Sequence, residues 1–411
     1  MQWSPEQDLA LKSVNDWLNN SSQQVFRLFG YAGTGKTTLA RHFASNVSGQ
    51  VMFGAYTGKA AHVLRTKGCA GASTIHSMIY HTKEKGRSRL KELELSLVEL
   101  LQELRKNNPD KSDFNEHQRV KDLKKLIGDE RVALSRPTFA LNEESLVRQA
   151  KLVVIDECSM VDGRMGQDLL SFGTKVLVLG DPAQLPPVMG SGFFTDVEQP
   201  EFMLTEIHRQ ARDNPIIAMA TLVRQEQTLS LGRYGESSVV DKTPSPEVVM
   251  EADQILVGRN RTRTASNNRV RSLKGIDERF PINGDKLVCL RNNHDKGLLN
   301  GAIWHVNDIG QKDEERIYMT ICPEAEDSNL CIEVEAHSHY FLGKGESLPW
   351  WERKEAEEFD FGYALTVHKS QGSQWDNIVL FDESSAFRED RHRWLYTALT
   401  RAAEKIQVVR I

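Results

Sequence analysis

The chain has 411 residues, 39% hydrophobic and 27% charged, with a formal net charge of −5, a length for two to four domains and a balance suited to a soluble globular protein with several cores. The charge excludes a histone-like basic protein but leaves room for a local nucleic-acid groove. No apolar run reaches the roughly 18–20 residues that span a membrane, and MQWSPEQDLA lacks a basic, apolar signal, so a cytoplasmic location is expected.

In chain order, SPEQ (4–7) comes first, with Ser4 suited to an N-cap, Pro5 to the first helical position and Gln7 to the capping-box position. A contact to a nucleotide base is the second reading of Gln7. The runs QVFRLFG (24–30), VMFGAYT (51–57), KLVVIDE (151–157) and KVLVLGD (175–181) then alternate with helical patterns, which predicts a mostly parallel sheet with crossover helices. Polar residues gather at the carboxyl ends of these strands, where open α/β sheets place ligands. About 81–145 interrupts the block: Leu90, Leu93, Leu97, Leu100, Leu101 and Leu104 keep helical spacing until NNPD (107–110) breaks it, so a helical hairpin is expected.

A second α/β block follows: QILVGRN (254–260), a helix in TRTASNNRVRSLKG, DNIVLFD (376–382), a helix in HRWLYTALTRAAEK and a last strand IQVVRI. Roughly 284–356 interrupts it with short strands (GDKLVCLRNN, NGAIWHV, RIYMTICP, LCIEVEAH) and Asn-Gly or Gly turns, a pattern for a small β-barrel. The five cysteines, 69, 158, 289, 322 and 331, form no CxxC pair and read as reduced, small hydrophobic side chains.

Chemistry concentrates in two places. Gly30-Tyr-Ala-Gly-Thr-Gly-Lys-Thr37 matches GxxxxGK[ST] between a predicted strand and helix. Gly30, Gly33 and Gly35 free the backbone N–H groups to turn toward phosphate, and Thr34 and Thr38 belong to the same cradle. Lys36 is expected on the β- and γ-phosphates of ATP and Thr37 on Mg²⁺. In VVIDECSM, Asp156 is the second Mg²⁺ residue and Glu157 the group that orients or deprotonates the attacking water. The reaction class is nucleoside triphosphate hydrolysis, which needs positioning and charge stabilisation more than covalent chemistry.

GYAGTGKTT, AYTGKAAHVL (55–64), STIHSMI (73–79), VIDECSM, GDPAQLPPV (180–188), LTEIHRQ (204–210), YALTVHKSQG (363–372) and WLYTALTRA (394–402) occur in the order seen in superfamily 1 helicases. The chain resembles the RecD/Dda branch most. The resemblance implies an α/β fold of two RecA-like P-loop NTPase domains, residues 1–80 with 146–232 and 233–283 with 357–411. A helical or pin-bearing insert (81–145) interrupts the first and a small SH3-like β-barrel insert (284–356) the second. It also implies that Gln184 senses the γ-phosphate, that Arg209 and Arg401 offset transition-state charge, that Gln7 contacts adenine, and that His208 stands where relatives stack an aromatic residue.

By the same positions, Thr57, Gly58, Lys59, Thr74 and His76 line a single-strand channel, and Pro186 and Pro187 stiffen the loop between it and Gln184. Thr366, His368, Lys369 and Ser370 form the opposite half of the grip, linked to nucleotide by Gln371 and Gly372. Tyr80, Trp304, Trp350 and Trp351 are either base-stacking or core aromatics. The implied protein is a monomeric ATP- and Mg²⁺-dependent 5′→3′ DNA helicase acting on single strands and single/double-strand junctions, with a single-strand-binding or replication protein as candidate partner. A translocase or RNA-directed motor without DNA unwinding and an ATP-regulated DNA-binding protein are the alternatives. No nuclease motif or relaxase-type histidine cluster stands out.

Overall fold

The computed structural model describes residues 3–82, 88–107, 114, 117–135, 139–186, 192–207, 213–293, 296–313, 315–324, 331–348, 353 and 356–411. Ser4 caps α1 (Pro5–Asn20) by accepting from Gln7 N, and Gln7 Oε1 accepts from Ser4 N in return. Strands β1 (Val25–Gly30), β2 (Val51–Ala55) and β3 (Ser73–Thr74) alternate with helices α2 (Lys36–Ser45), α3 (Gly58–Thr66) and α4 (Ile75–Ile79). Strands β4 (Tyr80–Thr82) and β5 (Phe139–Leu141) pair antiparallel and bracket α5 (Ser88–Asn107) and α6 (Gln118–Ser135). Those two helices pack through Leu97, Leu100, Leu101 and Leu104 against Phe114, Val120 and Leu123, as the leucine spacing predicts.

Strands β6 (Leu152–Asp156), β7 (Val176–Gly180) and β8 (Phe202–Leu204), with α7 (Gly163–Leu170) after β6, complete a parallel sheet of order β3-β2-β6-β7-β1-β8. Side chains along a strand face alternate sides. Thus Leu152, Val154, Leu177 and Leu179 join the core under α1 and α2, while Val153, Ile155, Val176 and Val178 join the core on the other face. Burial on both faces makes these strands read as unbroken apolar runs.

The second sheet, of order β17-β11-β18-β19-β10-β9, uses β9 (Gly232–Tyr234), β10 (Ser237–Val240), β11 (Gln254–Val257), β17 (Ala364–Thr366), β18 (Trp375–Asp382) and β19 (Ala402–Arg410). It is parallel except for the edge strand β9. Helices α8 (Pro215–Arg224), α9 (Pro246–Glu251) and α10 (Asn260–Leu273) precede an antiparallel sheet of β12 (Lys286–Cys289), β13 (Ile303–Lys312), β14 (Arg316–Pro323), β15 (Ile332–His337) and β16 (Phe359–Phe361), with α11 (Ser338–Phe341) between its last two strands. Helix α12 (Arg391–Leu399) leads into β19. Among the described residues no helix is long and apolar enough to cross a membrane.

Four features differ from the sequence expectations. The last helix stops at Leu399, and AAEK belongs to β19, where Ala402 pairs with Trp375. The strand Phe359–Phe361 pairs with β12, so the antiparallel insert reaches past 356. Helix α8 packs through Ile216, Met219 and Val223 into the core holding Trp394, Leu380 and Val408, with the second sheet rather than the first. Finally, Cys322 and Cys331 form a disulfide, because Ile321 and Ile332 are cross-strand partners and place the next pair directly opposite, 4.2 Å apart at Cα.

A buried ion pair ties the insert to α10. Asp285 (0% exposed) accepts from Arg271 Nε and Nη2 at 3.1 Å, from Tyr363 Oη at 2.8 Å and from Ile282 N at 2.8 Å. Removing one partner of a buried pair leaves a charge without compensation. Asp285→Ala is therefore expected to cost about 3–5 kcal/mol in equilibrium unfolding; a loss below about 1 kcal/mol would show that solvent reaches Arg271.

Candidate nucleotide site and strand groove

The loop between β1 and α2 is built for close approach. A Cβ at Gly30 would lie 2.6 Å from Thr34 Oγ1 and 2.8 Å from Leu204 Cβ, so only glycine fits. Gly33 and Gly35 adopt φ of +81° and +80°, the left-handed backbone that glycine adopts without steric cost. Lys36 opens α2 and donates from Nζ to the carbonyls of Gly30 (2.6 Å) and Tyr31 (3.0 Å). Thr34 Oγ1 donates to Tyr31 O at 2.9 Å, and Thr38 follows in the first turn of α2.

Thr37 Oγ1 donates to Asp156 Oδ2 at 2.9 Å across the carboxyl end of the sheet. These are two hard oxygen donors beside a cradle of backbone amides. They fit Mg²⁺, which favours one or two protein oxygens plus substrate phosphates over a complete protein cage. Glu157, the next residue, has φ +51° and ψ +45°, a left-handed conformation that a glutamate adopts only at a cost. Burial pushes its carboxyl above the ordinary range, against the pull of Arg401.

Gln184 is 8% exposed, and its Oε1 has no hydrogen-bond partner. It lines one cavity with Lys36, Asp156, Glu157, Gly372 and Arg401. An orphaned buried amide oxygen beside the phosphate cradle suits a group that recognises a ligand. Arg401 stands at the α12–β19 junction, 5% exposed, and donates to Thr397 O (3.1 Å), Ser373 O (3.3 Å) and Thr400 Oγ1 (3.2 Å). All three are neutral oxygens, so no carboxylate neutralises the guanidinium through these bonds.

Gln7 is 2% exposed, and besides completing the cap its Nε2 donates to Thr34 O at 3.1 Å. Beside it, Glu6 accepts from Thr205 N, Thr205 Oγ1 and Glu206 N, which ties α1 to the segment leading to LTEIHRQ. His208, Arg209, Pro187, Trp350 and Trp351 lie outside the described residues.

Of the residues expected to grip a strand, Thr57 and Gly58 lie against the far side of the cleft, at Gly372 and Leu299. Thr57 caps α3 by accepting from Ala60 N, and Thr74 caps α4 by accepting from Ser77 N, both at 3.1 Å. Gly58 packs against Leu299 of the insert, where a Cβ would come within 2.7 Å. Opposite them, Gly372 (φ +76°) sits so close that a Cβ would lie 2.9 Å from Ala60 Cβ. Thr366 ends β17, His368 packs 5.5 Å from the Phe387 ring, and Pro186 is half-buried after Leu185. Lys369 is partly exposed, with its pKa lowered by burial and by Arg263.

Three expected contacts look different in three dimensions. Ser370 is fully buried and donates to Val367 O, so its hydroxyl serves its own turn. Trp304 is 6% exposed within the insert core, which excludes it from base stacking. Tyr80 donates to Asp168 at 2.6 Å, and its ring lies 4.6 Å from that of His76.

Lys59 reaches over the Trp375 ring at 4.6 Å, and burial pushes its ammonium down to about 8 despite nearby Glu324. The folded chain thus binds fewer protons than the unfolded chain between about pH 8 and the ordinary lysine value near 10.4. The resulting destabilisation is present in full below about pH 8 and is relieved as pH rises toward the unfolded value. Lys59→Met is expected to raise stability by about 1–3 kcal/mol at pH 7 and by almost nothing near pH 10.5. Denaturant melts at the two pH values measure this, and equal gains at both would refute it.

Sequence reasoning named Gln371 as a link but missed Tyr396 and Thr397, which join the two halves of the cleft. Leu185 N donates to Thr397 Oγ1 (2.9 Å), and Leu185 O accepts from Gln371 Nε2 (3.1 Å). Tyr396 Oη donates to Asp181 Oδ2 (2.6 Å) and accepts from Ala32 N (2.9 Å). Thr397 and Tyr396 lie in a helical pattern that reads as core, so only their spatial neighbours reveal them.

Residues 2–245 match the AAA domain family, and residues 361–409 match the UvrD-like helicase C-terminal domain. The chain is 25% identical over 283 residues to the ATP-dependent RecD2 DNA helicase of Deinococcus radiodurans, covering 62% of this chain and 35% of that one. It is 23% identical over 315 residues to the ATP-dependent DNA helicase Pif1 of Campylobacter jejuni, covering 63% and 69%. The chain thus spans about a third of the length of the RecD2 relative. In fold it is similar to Pif1 helicase from Bacteroides in complex with ADP-AlF3 and ssDNA, with a TM-score of 0.51, 17% identity and 99% and 92% of the two chains covered. The chain belongs to the AAA domain family, and residues 361–409 carry a match to the UvrD-like helicase C-terminal domain.

Proposed function

We propose that this chain is an ATP-dependent DNA helicase that moves 5′→3′ along single strands and unwinds duplex DNA by closing the cleft between two RecA-like units. One observation carries the reading. Lys36, Asp156 and Glu157 from the first sheet share a cavity with Arg401 from the second, and Gln371, beside the strand-gripping run, holds Leu185 next to Gln184. A change at the phosphate end of the cavity therefore bears directly on the groove. The names of the RecD2 and Pif1 relatives and the DNA-bound Bacteroides protein support carrying this activity to the present chain.

In the proposed reaction the backbone amides from Gly33 to Thr37 hold the phosphates, with Lys36 Nζ leaving the Gly30 and Tyr31 carbonyls for them. Thr37 and Asp156 would hold Mg²⁺, whose charge neutralises the phosphate oxygens when bound. Glu157 takes a proton from the attacking water, Gln184 reads the γ-phosphate, and Arg401, with Arg209, faces the developing charge. Gln7 and His208 are assigned to the base. Thr57, Lys59, Thr74, His76, Thr366, His368 and Lys369 hold backbone phosphates, as a motor indifferent to sequence requires.

The assigned units are 1–80 with 146–232 and 233–283 with 357–411, except that helix α8 (Pro215–Arg224) goes with the second, into whose core it packs. The helical insert 81–145 is the strand-separating element, and the second insert is SH3-like, its sheet including Phe359–Phe361. Duplexes with 5′ or 3′ single-stranded tails, with and without ATP, test the whole reading. ATP-dependent opening of the 5′-tailed duplex is expected. Strand-stimulated hydrolysis without opening would make the chain a translocase, preference for RNA an RNA motor, and DNA binding without turnover a switch.

A further inference from the structure

We propose that Tyr396 is a positioning residue that couples cleft closure to hydrolysis by docking the helix before Arg401 onto the phosphate loop; this rests on the ATPase reading above. The phenol is 2% exposed and bridges three elements. Its O–H donates to Asp181 Oδ2 at 2.6 Å, at the end of β7, and its oxygen accepts from Ala32 N at 2.9 Å, inside the phosphate loop. Asp181 is itself 2% exposed and otherwise accepts only from Ala183 N among these bonds.

Burial and the neighbouring carboxylate raise the Tyr396 pKa, so the hydroxyl stays neutral and can donate and accept together. The next residue, Thr397, accepts from Leu185 N through Oγ1, and its carbonyl accepts from Arg401 Nε. One helical turn thus carries a continuous path: phosphate loop and Asp181 to Tyr396, Leu185 to Thr397, and Thr397 to Arg401. A second tie lies alongside, with the Arg224 guanidinium 3.6 Å from the Tyr31 ring centre, next to Ala32. Arg224 ends α8, which packs with α12 in the second core. Adjacent residues of the phosphate loop are therefore held by two helices of the far unit.

A residue that only filled space would need the ring alone. The hydroxyl instead satisfies a buried acidic side chain and a part-buried amide of the phosphate loop, both on residues that line the cavity, and losing a buried partner leaves the other group to bear its desolvation. Losing the hydroxyl should let α12 sit less firmly on the loop and deliver Arg401 less often. The effect falls on turnover and on transition-state binding more than on ground-state binding.

Tyr396→Phe keeps the ring and removes the hydroxyl. Its expected kcat for strand-stimulated ATP hydrolysis is about 10-fold or more below wild type, with KM for ATP changed by no more than about 2-fold. Its preference for ADP-aluminium fluoride over ADP should fall by about the same 10-fold. Asp181→Asn alters the acceptor, and the double variant should lose little beyond either single change. Unchanged kcat and unchanged analogue preference, with only a lower melting temperature, would reduce Tyr396 to packing. Fully additive losses in the double variant would also overturn the coupling. A wild-type protein without strand-stimulated turnover would instead overturn the ATPase reading on which the assignment stands.

Discussion

Arg401→Ala is expected to lose strand-stimulated ATPase activity by about 10³–10⁵-fold, equivalent to roughly 4–7 kcal/mol of transition-state stabilisation, while keeping its fold. Both halves of that expectation come from how the side chain is held. The guanidinium is buried and bonded to Thr397 O, Ser373 O and Thr400 Oγ1. None of these is a charge, so truncation breaks no hydrogen-bonded ion pair, though it removes the pull of Arg401 on the buried Glu157 carboxyl. With no carboxylate hydrogen-bonded to it, the guanidinium can turn to a phosphate in the shared cavity. Arg401→Lys should rescue little, since a point charge on a flexible stem does not reproduce a planar fork. Steady-state hydrolysis with saturating single-stranded DNA, beside a thermal melt, measures both effects. Wild-type turnover with a lowered melting temperature would assign Arg401 to the fold alone.

The phosphate loop and the acidic strand end were legible from local order, because the chemistry itself demands glycines, a lysine and a hydroxyl at set spacing. Strands β6 and β7 were legible because burial on both faces leaves continuous apolar runs rich in valine and isoleucine. Strand β3 has two residues and β17 three, too short for a period to register. AAEK read as helix because alanine, glutamate and lysine favour it, yet pairing with β18 outweighs that preference. The same error hid the geometry of Arg401, which sits where the helix gives way to strand rather than on a helical face. Cys322 and Cys331 read as separate thiols because their pairing follows from the β14–β15 register. The polar run 366–372 divides by burial: Ser370 and Gln371 point into the protein while Lys369 stays exposed, and Gln371 reaches the Leu185 carbonyl. That division cannot be seen in a string of polar letters.

Glu157→Gln should bind ATP and single-stranded DNA like the wild type yet turn over about 10²–10⁴-fold more slowly, the range for losing a positioned general base. The amide keeps the size and hydrogen-bonding reach of the carboxylate but cannot hold the proton of the attacking water. The backbone supports an active role. Glu157 is one of three non-glycine residues with positive φ among those described, at +51°, and holding such a conformation costs about 1–3 kcal/mol. A solvated strand end would relax out of it; here the Asp156 carboxylate accepts from Glu157 N at 2.9 Å and fixes the turn. Glu157→Gly therefore separates strain from chemistry. It should lose turnover as completely as the glutamine variant while melting no lower than wild type, since glycine accepts this backbone freely. Nucleotide binding, single-turnover hydrolysis and thermal melts on the two variants decide the matter. If either variant hydrolyses ATP at the wild-type rate, the proton acceptor lies elsewhere in the cavity.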